Sequence, residues 1–390
     1  MNPATLHRQV GYLLLVTVLG LVALGIVMLF SISGKQAAEG TGAIYGAMQK
    51  QVAWIALGGI ACAVLCRCDY HEFVRRAPLI LLGTGFLLLL VFVPHVGKKV
   101  NGSWRWINVA GFTLQPSEFV KWALVLFLSF WLGKNQRRMK TSWQGMGVPC
   151  AAACVVAAVL LVSHDIGSTA MVFAILSVML YVGGAPTRWL LPVPFAALIG
   201  LLSVAWLWPE RRARLLAFLH PEAHSDKAHQ QIQALIAFGS GGPDGIGLGN
   251  SRQKMYWLPE ANTDFIFPVV GEELGLWVTL GVVLSFLLLM LCSGWITFHA
   301  PDPQGVFLGS GITTLMGLQA IANMGVVTSL LPNKGLPLPF ISYGGSNLML
   351  CMICVGMLLN LQRQGVYETK PDEGSVLRRR PLRAGTTFRM

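Results

Sequence analysis

Apolar residues run in long unbroken stretches along this chain, about 18 to 25 residues each, the length a helix needs to cross a hydrocarbon core ~30 Å thick. Backbone amides in lipid find no water, so each stretch must satisfy its own hydrogen bonds as a helix. The strict apolar–polar alternation of a membrane barrel is absent. The pattern predicts about ten transmembrane helices, near residues 11–33, 51–66, 77–94, 117–133, 147–163, 167–184, 190–208, 265–292, 306–331 and 347–361, and therefore an all-α polytopic membrane protein. The first run, Gly11 to Ser33, is too long for a signal-peptide core and has no convincing cleavage pattern, so it reads as a retained span. Residues 1–362 form one membrane domain in this reading. Residues 363–390, polar and basic, are expected to be a disordered cytoplasmic tail that touches anionic lipid.

Charge sets the expected orientation. Arg67, Arg75 and Arg76 fall between spans two and three, and Lys134, Arg137, Arg138 and Lys140 between four and five. The tail adds Arg363, Lys370, Arg378, Arg379, Arg380, Arg383 and Arg389. Basic residues in short connections stay on the cytoplasmic side, so both termini are expected there. The long segment 209–264, between spans seven and eight, is then extracytoplasmic.

Composition agrees: mean hydropathy is +0.60 and 12% of residues are charged, against about 25% in a soluble domain. The net charge of +12 is spread over connections rather than one soluble face, which argues against nucleic acid as a partner. All eight cysteines lie in apolar spans or beside Arg-rich turns, so the long polar loops carry no disulfides. Cys351 and Cys354 are spaced like half a metal knuckle, but they have no partner pair and read as small core residues. The glycines of 239–249 lack the Lys-Ser/Thr ending and the preceding strand of a phosphate loop.

Polar residues that persist beside a membrane mark function, and they gather in four places on the expected outer side. The first holds Asn101, Trp104, Arg105 and Trp106, then Gln115, Pro116, Ser117, Glu118 and Lys121. Glu118 and Lys121, three apart on one helical face, are either an ion pair orienting two helices or the lining of a functional cavity. The second is the turn from Ser163 to Ser168, where Asp165 is placed to cap the next helix or to serve a site. The third is Tyr256 to Phe265. There Asp264 re-enters the membrane beside Phe265, either as a helix cap or as a partly buried carboxylate suited to proton transfer. Glu272 and Glu273, further in, must be offset by bundle partners and read as structural or coupling residues. The fourth runs from Pro332 through Lys334, Ser342 and Ser346, with prolines and glycines that forbid helix. Such backbone is tolerated at membrane depth only against protein or a wet cavity.

These strings, taken in order, resemble the SEDS family (shape, elongation, division and sporulation) over nearly the whole membrane region. They include Arg105-Trp106-Ile107, Gln115-Pro116-Ser117-Glu118 with Lys121, and Asp165 followed by Gly167. Leu258-Pro259-Glu260, Thr263-Asp264-Phe265-Ile266-Phe267, Gly271-Glu272-Glu273-Leu274-Gly275 and the run Leu338 to Ser346 complete the match. Gly247 to Lys254 is similar to the cell-division (FtsW-like) branch rather than the elongation (RodA-like) branch. The chain departs from the family's usual pattern at Asn262, where His is usual, at Pro268, where a small residue is common, and at His164, where Pro is usual.

The resemblance implies a peptidoglycan glycosyltransferase of the division site in the inner membrane, using lipid II. It also implies a class B penicillin-binding protein as partner, among other divisome membrane proteins. An α-linked sugar diphosphate giving a β-linked glycan requires inversion, hence one base for the acceptor hydroxyl and cations for the departing diphosphate. Asp264 is the base the motif implies. Arg105, Lys121, Lys334, Arg252 and Lys254 form the candidate cation pool, with Arg105 first because its planar fork suits phosphate. Trp106, Glu118, Asp165, Ser342 and Ser346 complete the expected substrate-binding set. No residue cluster demands a metal, although a divalent cation (Mg or Mn) held partly by diphosphate oxygens is compatible with this chemistry. A lipid II flippase is the alternative, but its polar residues would continue through the cytoplasmic half, and the inner halves of these spans are nearly featureless.

Overall fold

The computed structural model describes residues 3–38, 43–100, 103–109, 112–141, 144–223 and 225–368. The chain runs through α1 (Pro3–Ala38), α2 (Ala43–Arg67), α3 (Tyr70–Arg75) and α4 (Ala77–Leu89), the last extended by a 3-10 turn, Leu90–Phe92. Strands β1 (Gly97–Val100), β2 (Ser103–Val109) and β3 (Phe112–Leu114) precede α5 (Pro116–Thr141), α6 (Gln144–Val162) and α7 (Ile166–Val182). Then come α8 (Thr187–Leu190), α9 (Pro192–Leu207), α10 (Pro209–Leu219), α11 (Ser225–Gly241) and α12 (Gln253–Tyr256). The chain closes with α13 (Ile266–Phe298), α14 (Pro303–Val327) and α15 (Gly345–Glu368).

Helices lie over all ten predicted segments. Seven are long and apolar enough to cross a membrane, and Ala77–Phe92 and Ile166–Val182 are shorter apolar helices. The remaining segment, in α5, buries Glu118 and Lys121. Exposed apolar side chains such as Leu79, Leu82, Phe86, Leu198 and Leu207 cover the outside, a surface that only lipid or another apolar partner can cover. The chain is a helical integral membrane protein. Its core is built from α5, α7, α14 and α15, whereas α9 buries none of its side chains.

Three expectations are corrected. The protein is not purely α: β1, β2 and β3 form an antiparallel sheet with Val100 opposite Ser103 and Ile107 opposite Leu114. Trp and Ile in the Ser103–Val109 stretch favour strand, and the Asn101-Gly102 dipeptide is the sequence signal for a two-residue hairpin. Asn101 itself lies outside the described residues. The helix expected to reach 331 ends at Val327, where the Leu330 and Leu331 amides both turn back to the Gly325 carbonyl at 2.8 and 2.9 Å. Residues 363–368, expected in the tail, are helical in α15, and the rest of that tail lies outside the described residues.

One break positions everything that follows. Gly275 has φ 77° and ψ −176° inside α13, a conformation open to glycine alone. The amide of Leu276 is satisfied by the Gly242 carbonyl at 3.0 Å. The Glu272 and Glu273 carbonyls accept from the Ile246 and Gly247 amides, each at 3.0 Å. The glycine-rich segment is thus a backbone splint across a broken helix. A β-carbon at Gly245 would overlap the Glu273 carbonyl.

Candidate functional site

Three chain turns and two helices meet beside the start of α13. The first turn precedes α7, where Asp165 is the N-cap: its carboxylate accepts from the Ser168 amide at 3.2 Å and from the Ser168 hydroxyl at 2.8 Å. The second is residues 257–265, folded by Glu260 at φ 58° and by the Thr263 and Phe265 amides donating to its carbonyl at 3.1 and 3.2 Å. The third is the extended segment 332–344. Asn323 of α14 holds the last two together, donating to the Asp264 carbonyl at 2.7 Å and the Leu336 carbonyl at 2.6 Å.

Asp264 is not a helix cap. Phe265 occupies that position without any side-chain bond. Among the described residues the Asp264 carboxylate has neither an ion-pair partner nor a hydrogen-bond donor, although the residue is half-buried. Burial, and then the nearby Glu260 carboxylate, push its pKa up to about 7 against the pull of Arg105. Asp165 is the opposite case. Burial raises its pKa, but Arg105, at 3.4 Å, and the Ser168 bonds outweigh burial and hold it below the usual range.

Around these acids stand more cations than they neutralise. Arg105, on β2, donates to the His164 carbonyl at 3.1 Å, and Arg211, on α10, donates to the same oxygen at 2.9 Å and to the Ser103 hydroxyl at 3.3 Å. His164 takes φ 63° there and lies against the Trp208 ring at 4.5 Å. Burial lowers the pKa of Lys334, whose stem passes beside Gly167 and Asp165. Burial, then Arg214 and Arg105, bring Arg211 down to about 10. Among the described residues Arg211, Arg214 and Lys334 have no carboxylate within ion-pair distance. Crowded cations without counter-charges, next to an unpaired carboxylate, are the electrostatics that suits an anionic ligand.

The structure therefore brings together Arg105, Asp165, Asp264 and Lys334 from the sequence set, and adds Arg211 and Arg214. The cation pool expected from the sequence did not include this last pair. Their signal was the run Arg211-Arg212-Ala213-Arg214 directly after a predicted span. The other expected ligands are engaged in other contacts. Lys254 is buried in an ion pair with Glu273 and donates to the Ser31 hydroxyl at 2.8 Å. Its ammonium is therefore already bonded within the bundle and is not among the cations gathered around Asp264. Lys121 is sealed against Glu118 at 2.8 Å, with Met171 sulfur at 3.8 Å. Ser342 caps its own turn by accepting from the Leu338 amide at 2.7 Å, and Ser346 accepts from the Gln115 amide at 3.0 Å. Trp106 is half-buried in the sheet opposite Lys98, and Arg252 is exposed, its amide on Glu272 at 3.0 Å. Among the described residues no group of three His, Cys, Asp or Glu side chains is placed to hold a metal ion on protein ligands alone.

The profile of the FtsW/RodA/SpoVE family, described as cell cycle protein, matches residues 12–367. The chain belongs to this family. A Geobacter metallireducens relative named probable peptidoglycan glycosyltransferase FtsW is 42% identical over 89% of this chain and 93% of its own length. A solved structure described as structural coordination of polymerization and crosslinking by a peptidoglycan synthase complex matches at TM-score 0.74. It is 27% identical and covers 90% of this chain and 97% of that one. The rod shape determining protein RodA of Thermus thermophilus matches at TM-score 0.65 and 25% identity, over 90% and 96% of the two chains.

Proposed function

We propose that this protein is a peptidoglycan glycosyltransferase that polymerises lipid II at the outer face of the cytoplasmic membrane during cell division. Family membership and the FtsW relative support the reaction and the division role. The observation that carries the mechanism is the unpaired, half-buried Asp264 carboxylate beside the cations Arg105, Arg211, Arg214 and Lys334. A base must hold a hydroxyl proton at about neutral pH, and a pKa near 7 suits that task.

In the step proposed, the acceptor sugar hydroxyl attacks the anomeric carbon of the donor while its proton passes to Asp264. The carbon–oxygen bond to the diphosphate breaks, and the leaving diphosphate carries its electron pair into the cation cluster. Attack opposite the leaving group turns the α-linkage into a β-linkage. Asp165 holds Arg105 in place for that charge, and the His164 carbonyl orients both Arg105 and Arg211.

Ten crossings with both termini cytoplasmic would put α10, α11, the sheet and segment 332–344 outside, where the substrate's sugars lie; the Arg and Lys distribution supports this. A class B penicillin-binding protein is the proposed membrane partner, supported by the likeness to a complex that joins polymerisation to crosslinking. The test is to incubate purified protein, alone and with its transpeptidase partner, with labelled lipid II and to size the products. Glycan strands are expected. Transbilayer movement of lipid II without polymer would establish the transporter reading instead.

A further inference from the structure

Gly335 stands directly in front of Asp264, and its lack of a side chain needs explaining. It is exposed, and its φ lies outside the positive region that demands glycine. A β-carbon built on Gly335 would lie 2.5 Å from Oδ2 and 3.5 Å from Cγ of Asp264, and it would meet no other atom within 4 Å. Backbone conformation and packing against the bundle are therefore not what excludes a larger residue here. The one group a methyl would touch is the carboxylate.

The empty position matches the geometry of proton transfer. An oxygen that gives its proton to a base sits about 2.6 to 3.2 Å from it, and the missing β-carbon, at 2.5 Å, would lie just short of that range and block it. The backbone walls are tied to each other, so a methyl would be accommodated by turning the carboxylate, the movable end of its side chain, out of place. Asn323 donates to the Asp264 carbonyl on one wall and the Leu336 carbonyl on the other, at 2.7 and 2.6 Å. The Leu336 amide also closes a tight turn over Gly335 by donating to the Lys334 carbonyl at 3.0 Å.

We propose that Gly335 is the acceptor gate of this site: the volume its side chain would fill is the passage by which the acceptor hydroxyl reaches Asp264. The neighbouring Lys334 stands on the side of Asp165 and Arg211, which leaves the donor diphosphate to the cation cluster and the Gly335 side to the acceptor. The proposal rests on Asp264 being the base. It adds where the second substrate enters, and it makes residue 335 a determinant of acceptor access rather than of donor binding.

The test compares Gly335→Ala, Asp264→Asn and wild type, each purified with the transpeptidase partner. It measures the initial polymerisation rate of lipid II across pH, binding of undecaprenyl diphosphate, and the melting temperature. Gly335→Ala should melt like wild type and bind the diphosphate normally. It should polymerise about tenfold or more slowly, on the scale of a displaced reacting group. The acidic limb of its pH profile should move upward, because a methyl excludes water from the carboxylate and disfavours its charged form. A wild-type rate, an unmoved acidic limb, weakened diphosphate binding or a lowered melting temperature in Gly335→Ala would each overturn the gate. An active Asp264→Asn would instead remove the base itself, whatever Gly335→Ala does.

Discussion

Lys254 and Asp264 sit on the same stretch of chain, ten residues apart, and their surroundings are opposites. Around Lys254 every charge is answered. Its ammonium meets Glu273 and the Ser31 hydroxyl, and Ser31 donates to the other Glu273 oxygen at 2.6 Å. Glu272 takes the Ser251 hydroxyl and the Arg252 amide. Around Asp264 the balance is left open: among the described residues the acid is without an ion-pair partner on one side, and Arg211, Arg214 and Lys334 are without one on the other. A buried pair that is fully bonded has nothing left to offer a ligand, whereas an unbalanced cluster carries a desolvation cost in the free protein that a charged ligand relieves. Both patches carry family strings. The state of pairing separates architecture from chemistry.

The comparison breaks first at its closed half. Lys254→Met strands the Glu273 carboxylate in the bundle, at a cost of about 3 to 5 kcal/mol. It should lower the melting temperature or prevent accumulation in the membrane. Lys254→Met combined with Glu273→Met should recover most of that stability. If Lys254→Met were instead as stable as wild type and selectively inactive, Lys254 would be a ligand after all.

The open half predicts the reverse pattern. Arg211→Gln and Arg214→Gln should melt normally and raise the KM for lipid II about tenfold, the scale of one charged hydrogen bond of ~1.5 kcal/mol. Steady-state kinetics at fixed ionic strength decide this, and an unchanged KM would take α10 out of the site.

A smaller effect sharpens the same contrast. The pKa of Asp264 is raised in the fold from 3.8 to about 7, so its favourable contribution is present while it is protonated and is lost as pH rises between those values. Asp264→Asn should accordingly melt above wild type at pH 8, with an advantage that shrinks as pH falls from about 7 towards 4. Melting curves that run parallel at all pH values would mean the carboxylate is not desolvated.

What the sequence showed and what it hid follow the same division. Long apolar runs have one answer in lipid, so the helices over 11–33 and 147–163 could be placed from hydropathy alone. The sheet of 97–114 was hidden because a short hairpin carries little periodicity beside such runs. Asp264, Arg105, Asp165 and Lys334 were legible because each lies in a family string or at a turn where polar residues are costly. The ion pair of Lys254 was not legible because its partner Glu273 belongs to another element, and nothing local marks an ammonium as already bonded. Arg211 and Arg214 were missed for the converse reason: only the return of α10, through Arg211, onto the His164 turn brings them beside Arg105. Glu118 and Lys121 were read as either a structural pair or a cavity wall. Their burial answers each with the other, although one Glu118 oxygen stays without a partner among the described residues.

The most direct test of the account is the pH dependence of polymerisation, measured as initial rate on lipid II from pH 5 to 9 for wild type and Asp264→Asn. A base must be ionised to accept a proton, so the wild-type rate should fall about tenfold per unit below a midpoint near the Asp264 pKa of about 7 and level off above it. Asp264→Asn should be at least ~100-fold slower and show no such limb. A wild-type profile that is flat through neutrality, or an Asp264→Asn enzyme that keeps both rate and limb, would contradict the assignment of Asp264 as the base on which the open cluster depends.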